Sequence, residues 1–123
     1  MTGHTPRRPT VLIAVAGSTA LAGRAVADGA DLIDTTGLSD QAVAAIRARD
    51  PRVRLWAGAP AAVDVDSPRA LPVAAVVARA AVLAWLGTPA IRTRHVVPVR
   101  RAIDMTSSIA GIRLPSVTTR GLG

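Results

Sequence analysis

The sequence predicts an α/β fold of about four parallel βα units, either half of a TIM-type barrel or a small open parallel sheet. Three observations predict it. Short β-branched runs alternate with alanine-rich stretches; glycine, proline or a capping residue punctuates each change; and the connections are short, which calls for parallel strands joined by right-handed crossovers. At 123 residues the chain has the size of one domain, and it is too short for an eightfold barrel, which needs about 200 residues or more. The expected layout is a disordered lead-in over residues 1–9, a single βα domain over 10–113 and an irregular tail over 114–123.

The run VLIAVA, Val11 to Ala16, reads as a strand buried on both faces and ended by Gly17. Ser18 and Thr19 offer caps for a helix from Ala20 to Asp28, stopped by Gly29. Ala30 to Asp34 is strand-like, Thr35 to Gly37 is a turn, and Ser39 or Asp40 caps a helix from Gln41 to Arg49 that Pro51 closes. Arg52 to Ala57 alternates Arg with apolar residues and reads as a third strand with one face near solvent or at an edge. A loop follows from Gly58 to Leu71. Pro72 to Leu86 reads as a helix, Ala90 to Val97 as a fourth strand, and Pro98 to Ile109 as a last helix.

Half of the residues are hydrophobic, with no Phe or Tyr and only Trp56 and Trp85 as aromatic residues. The core must therefore be aliphatic, and stacking platforms for bases are scarce. All fifteen basic residues are Arg and all eight acidic residues are Asp, which gives a net charge of +7. Replacement of Lys by Arg throughout reads as codon bias of a GC-rich genome, and physically it leaves a surface of bidentate forks for phosphate and carboxylate. The absence of cysteine rules out disulfides and thiol chemistry. No secretory signal or membrane span is read, so a cytoplasmic location is expected.

In a parallel α/β fold, function gathers at the carboxyl ends of the strands. Arg92 and Arg94 alternate onto one face there, with His95 on the other, and two guanidinium groups on one face can clamp a phosphate. The alternative is a solvated face, or arginines paired with Asp residues of neighbouring strands. Asp34 closes the second strand and is a candidate ligand acceptor or general base; its alternative role is to bind its own turn or Arg92 or Arg94. Gly17 to Thr19 lies where a strand meets a helix amino terminus, so Ser18 is a candidate anion contact. GSTALAG is neither a Walker A loop nor a dinucleotide fingerprint. With His4 and His95 the only histidines, no metal site and no cofactor are expected.

Ala20 to Gly37, with Gly29, Ala30, Asp31 and Asp34, resembles the first helix and second strand of dihydropteroate synthase. Ala75 to Met105 is similar to the end of the same family, where a strand of the type Arg-x-His-Asp-Val leads into a helix ending near Ala-x-x-Met. Arg92, Val96, Ala102 and Met105 fall in register, Arg94 takes the place of the family's His, and His95 that of its Asp. The resemblance implies a pterin-binding relative in folate biosynthesis whose Arg92 and Arg94 hold a pyrophosphate. It joins the beginning of a barrel to its end. The family's Asn-x-Thr-x-Asp-Ser-Phe loop, its Gly-Glu-Ser-Thr-Arg-Pro turn and its Ser-Arg-Lys strand are missing, so its catalytic residues are largely absent.

Three readings follow. The first is a non-catalytic dihydropteroate synthase-like protein that binds an anionic ligand, such as a phosphorylated pterin, through Arg92, Arg94, His95, Asp34 and Ser18, or that serves as a partner subunit. A homodimer is expected to cover its open sheet edges. The second is a small enzyme of unidentified chemistry using Asp34 and His95. A nucleic-acid binder ranks last, for want of stacking residues and a recognition module.

Overall fold

The computed structural model describes residues 8–67 and 71–111 of the chain. Strands and helices alternate within them: β1 (Val11–Val15), α1 (Thr19–Ala27), β2 (Leu32–Asp34), α2 (Asp40–Arg49), β3 (Val63–Asp64), α3 (Val73–Trp85), β4 (Ala90–Thr93) and α4 (Val96–Ile109). The expected lead-in lies outside the described residues up to residue 7, and the expected tail over 114–123 lies wholly outside them.

The strands form one open, all-parallel sheet in the order β2-β1-β4-β3. The fourth strand therefore lies beside the first. β1, the most apolar strand, takes a central place, and Leu12, Ile13 and Ala14 are fully buried. One face of the sheet carries all four helices. Leu12, Ala14, Ile33 and Ile91 point into a core with Ala22 and Ala25 of α1, Ile46 of α2, Val76, Ala80 and Ala84 of α3, and Val99 and Ile103 of α4. Alanine at so many contact positions lets the helices sit close to the sheet. On the opposite face a smaller cluster of Ile13, Leu32 and Ala90 is covered by Trp56 and Ala62.

Local chemistry explains most boundaries. The Ser18 and Ser39 hydroxyls accept hydrogen bonds from the Leu21 and Ala42 amides, at 3.2 and 3.1 Å, and so cap α1 and α2. α4 starts at Val96, so Val96 and Val97 are helical and not strand residues as the sequence suggested. Proline fits the first turn of a helix because no partner is required of its missing N–H there, so Pro98 did not have to mark the first helical residue.

The segment read as a third strand pairs only at Leu55, through an isolated parallel bridge to Ile33 outside β2. Arg54 O accepts from Ile33 N at 2.9 Å and Trp56 N donates to Ile33 O at 2.8 Å. The chain then leaves this edge and reaches β3 at the other. Four interstrand steps are about 19 Å, and eight extended residues span about 26 Å. Eight residues therefore suffice for the crossing with bends at Gly58 and Pro60, and no helix forms in it. Trp56 Nε1 donates to Pro60 O at 2.9 Å and fastens it over the helix-free face.

At the amino ends of the strands, Asp31 Oδ2 accepts from the Leu12 amide at 2.8 Å and from Arg100 Nη1 at 3.0 Å. Arg100 also donates to Gly29 O and Asp104, which ties α4 to the start of β2. Gly29 is left-handed, with φ +104°, and a Cβ there would stand 3.0 Å from Arg100 Cδ, so only glycine fits without displacing that side chain. No helix among the described residues is long and apolar enough to cross a membrane. Ile91 is fully buried and Val82 is 58% exposed. Ile91→Ala should therefore cost about 2–5 kcal/mol in urea unfolding, and Val82→Ala less than about 0.5 kcal/mol. Similar losses in both would contradict this core.

Candidate functional site

The register sets Val15 of β1 beside Asp34 of β2, and Ile13 of β1 beside Arg92 of β4. Asp34 and Arg92 thus lie on the helix-free face on either side of β1. Arg92 reaches across it, and its Nε stands 2.8 Å from Asp34 Oδ2. The Nε–H is buried and does not point along that line, so the contact is an ion pair without a directed hydrogen bond. Asp34, 3% exposed, is completed on Oδ1 by the Thr36 backbone amide at 2.9 Å and by the Thr36 hydroxyl. Arg92 Nη1 also approaches Asp64 Oδ2 at 3.7 Å, from β3.

A second carboxylate, Asp66, follows β3. Its Oδ1 accepts from the Thr93 hydroxyl at 2.6 Å and its Oδ2 from the Arg94 amide at 2.7 Å, while Thr93 Oγ1 accepts from the His95 amide at 2.9 Å. Arg79 of α3 donates to the carbonyls of Val65 and Ser67 and holds the same loop from behind. Asp64 Oδ1 accepts from the Asp66 amide at 2.9 Å. The end of β4 is therefore built by this loop.

Arg94 lies beyond the last residue of β4, so strand alternation does not extend to it. Arg92 and Arg94 both line a depression of 170 Å³ with Asp64 and Asp66. Arg92 there is neutralised, whereas the exposed Arg94 side chain has no ion pair or hydrogen bond among the described residues. Arg94 and His95 also border a groove of 550 Å³ between α1 and α4, whose walls include Val15, Gly17, Leu21, Arg24, Val96 and Val97. Arg24 is only loosely paired with Asp28, at 3.9 Å and with its side chain 79% exposed. His95 starts α4 without a side-chain cap, and the Val96 and Val97 amides have no acceptor among the described residues. Ser18 spends its hydroxyl on the α1 cap.

The structure thus joins Asp34 to Arg92, leaves Arg94 and His95 together at the groove, and sets Ser18 to helix capping. Sequence reasoning missed Asp64, Asp66 and Thr93. The alternation Val63-Asp64-Val65-Asp66 was the available signal, hidden inside a loop rich in Ala and Pro. Asp34 is occupied by Arg92 and Thr36 and is thereby withdrawn from the role of ligand acceptor or base. Fold and site define a small parallel α/β protein with an ion-paired strand-end cluster and a cationic groove. The chain matches no family model, no curated protein and no solved structure.

Removing Arg92 would strand the buried Asp34 carboxylate. Because the Arg92 side chain is 34% exposed, the loss should fall below that of a fully buried pair, at about 2–3 kcal/mol. A double-mutant cycle of Arg92→Ala and Asp34→Ala in chemical denaturation should show a favourable coupling of about 1 kcal/mol or more between the two side chains. Additive losses would mean that the pair contributes nothing.

Proposed function

We propose that this protein is a non-catalytic binder of an anionic small molecule, held at the carboxyl end of the sheet by Arg94 and His95. The observation that carries the reading is the unpaired Arg94 guanidinium beside the open amides of Val96 and Val97. A phosphate in the groove would meet two backbone donors, the helix dipole and one or two guanidinium groups. Arg92 and Asp34 form the floor beside it and fix the end of β4. The resemblance to dihydropteroate synthase makes a phosphorylated pterin the first ligand to test, and the placing of the fourth strand beside the first suits a chain that joins a barrel's end to its beginning. The homodimer expected from the open sheet edges belongs to the same reading.

Calorimetric titration with pyrophosphate and pterin pyrophosphate tests it. A charge-assisted contact is worth about 1.5–3 kcal/mol, so Arg94→Ala should weaken binding about tenfold or more. Arg101→Ala, an exposed change of equal charge on α4, should leave affinity within about twofold. Equal weakening in both variants, or no binding by the unmutated protein, would refute the site. Purified protein should also fail to condense pterin pyrophosphate with p-aminobenzoate.

A further inference from the structure

Among the described residues the charge is not spread evenly. They hold eleven Arg and eight Asp, an excess of three. The stretch from Arg47 to Arg54 alone holds four Arg and one Asp, the same excess, and the remaining described residues balance at seven of each. Arg47 and Arg49 occupy the last turn of α2, and Arg52 and Arg54 follow on the segment that lies outside β2 at the sheet edge. None of the four has an ion pair among the described residues, and Asp50, between them, turns Oδ1 to the Arg52 amide at 3.1 Å.

The geometry points to a sequence-independent contact between this edge and the phosphate backbone of a nucleic acid duplex. The helix dipole accounts for Arg47 and Arg49, but it gives Arg52 and Arg54 no role. Both are exposed, Arg52 inside the turn that the Val53 amide closes on Asp50 O, and Arg54 beside the bridge at Leu55. The intervening apolar residues are turned inward: Val53 and Leu55 pack against the main core, and the Trp56 indole is bonded to Pro60. Nothing in the patch can insert into a lipid interface, which an amphipathic membrane surface requires. Nor is there the apolar centre that a specific protein interface is built around. What remains is a cluster of exposed guanidinium forks, four within eight residues, suited to phosphate oxygens. Backbone contact needs neither stacking residues nor a recognition module, because the affinity comes from counterion release.

Fluorescence anisotropy with a short labelled DNA duplex of mixed sequence, read between about 50 and 200 mM salt, tests the inference. Four phosphate contacts give a slope of log affinity against log salt of about −3.6, a loss of roughly 150-fold over that range. The variant Arg52→Ser/Arg54→Ser should halve the slope and weaken binding at low salt at least tenfold. The control Arg101→Ser/Arg120→Ser, with the same change in net charge, should shift affinity less than threefold. Circular dichroism should show every variant folded. If Arg52→Ser/Arg54→Ser fails to fold, Arg47→Ser/Arg49→Ser takes its place with the same expected loss. Equal weakening by patch and control pairs would overturn the inference, as would no binding by the unmutated protein, or binding to phosphatidylserine vesicles but not to the duplex. Unchanged DNA binding accompanied by self-association of the variant would overturn it too, because the arginines would then serve only to keep the edge unpaired.

Discussion

A parallel sheet with all of its helices on one face leaves its other face bare, and this chain must also travel from the outer side of β2 to the far edge beyond β4. One short connection, residues 57–62, meets both demands. It begins at Trp56 and ends at Ala62, and both pack on Ile13, Leu32 and Ala90. Because the crossing ends at β3, it also delivers Asp64 and Asp66 to the end of β4. The covering of the bare face, the short fourth edge of the sheet and the construction of the candidate site all depend on this crossing.

The charge arrangement at the strand ends follows from the same path. Asp34, Asp64 and Asp66 gather around Arg92, so the cluster has more carboxylates than the single guanidinium can neutralise, and hydrogen bonds from Thr36, Thr93 and the Arg94 amide take up the remainder. Such a cluster resists a further anion on its own ground and fixes the geometry of its neighbours. Arg94 lies just past it and is left free, with its amide pinned and its side chain turned out. The pinned Arg94 amide fixes where the exposed side chain begins, so the backbone at this point needs no reordering when a ligand arrives.

The βα rhythm was legible because each strand buried on both faces is a continuous apolar run, as in Val11 to Val15, and because each helix carries its own punctuation, as in Ser18, Ser39, Gly29 and Gly87. The third strand was misplaced because the alternation in Arg52 to Ala57 is that of an edge segment, which makes one bridge before the chain departs. β3 is too short for periodicity to declare it, and its pairing with β4, Val63 beside Ile91, joins residues far apart in sequence. The pairing of Asp34 with Arg92 was foreseen as an alternative to ligand binding, but which alternative holds depends on register across β1, and register is a property of the assembled sheet.

The account rests on Arg92 being committed to Asp34 while Arg94 remains available at the α1–α4 groove. Nitrogen-15 NMR during titration with pyrophosphate reads both arginines in one experiment. The predicted result is that the signals of the Arg94, Val96 and Val97 backbone amides move with ligand, while that of the Arg92 Nε–H stays in place. Largest shifts at Arg92 and Thr36, with the amides of α4 unmoved, would contradict it.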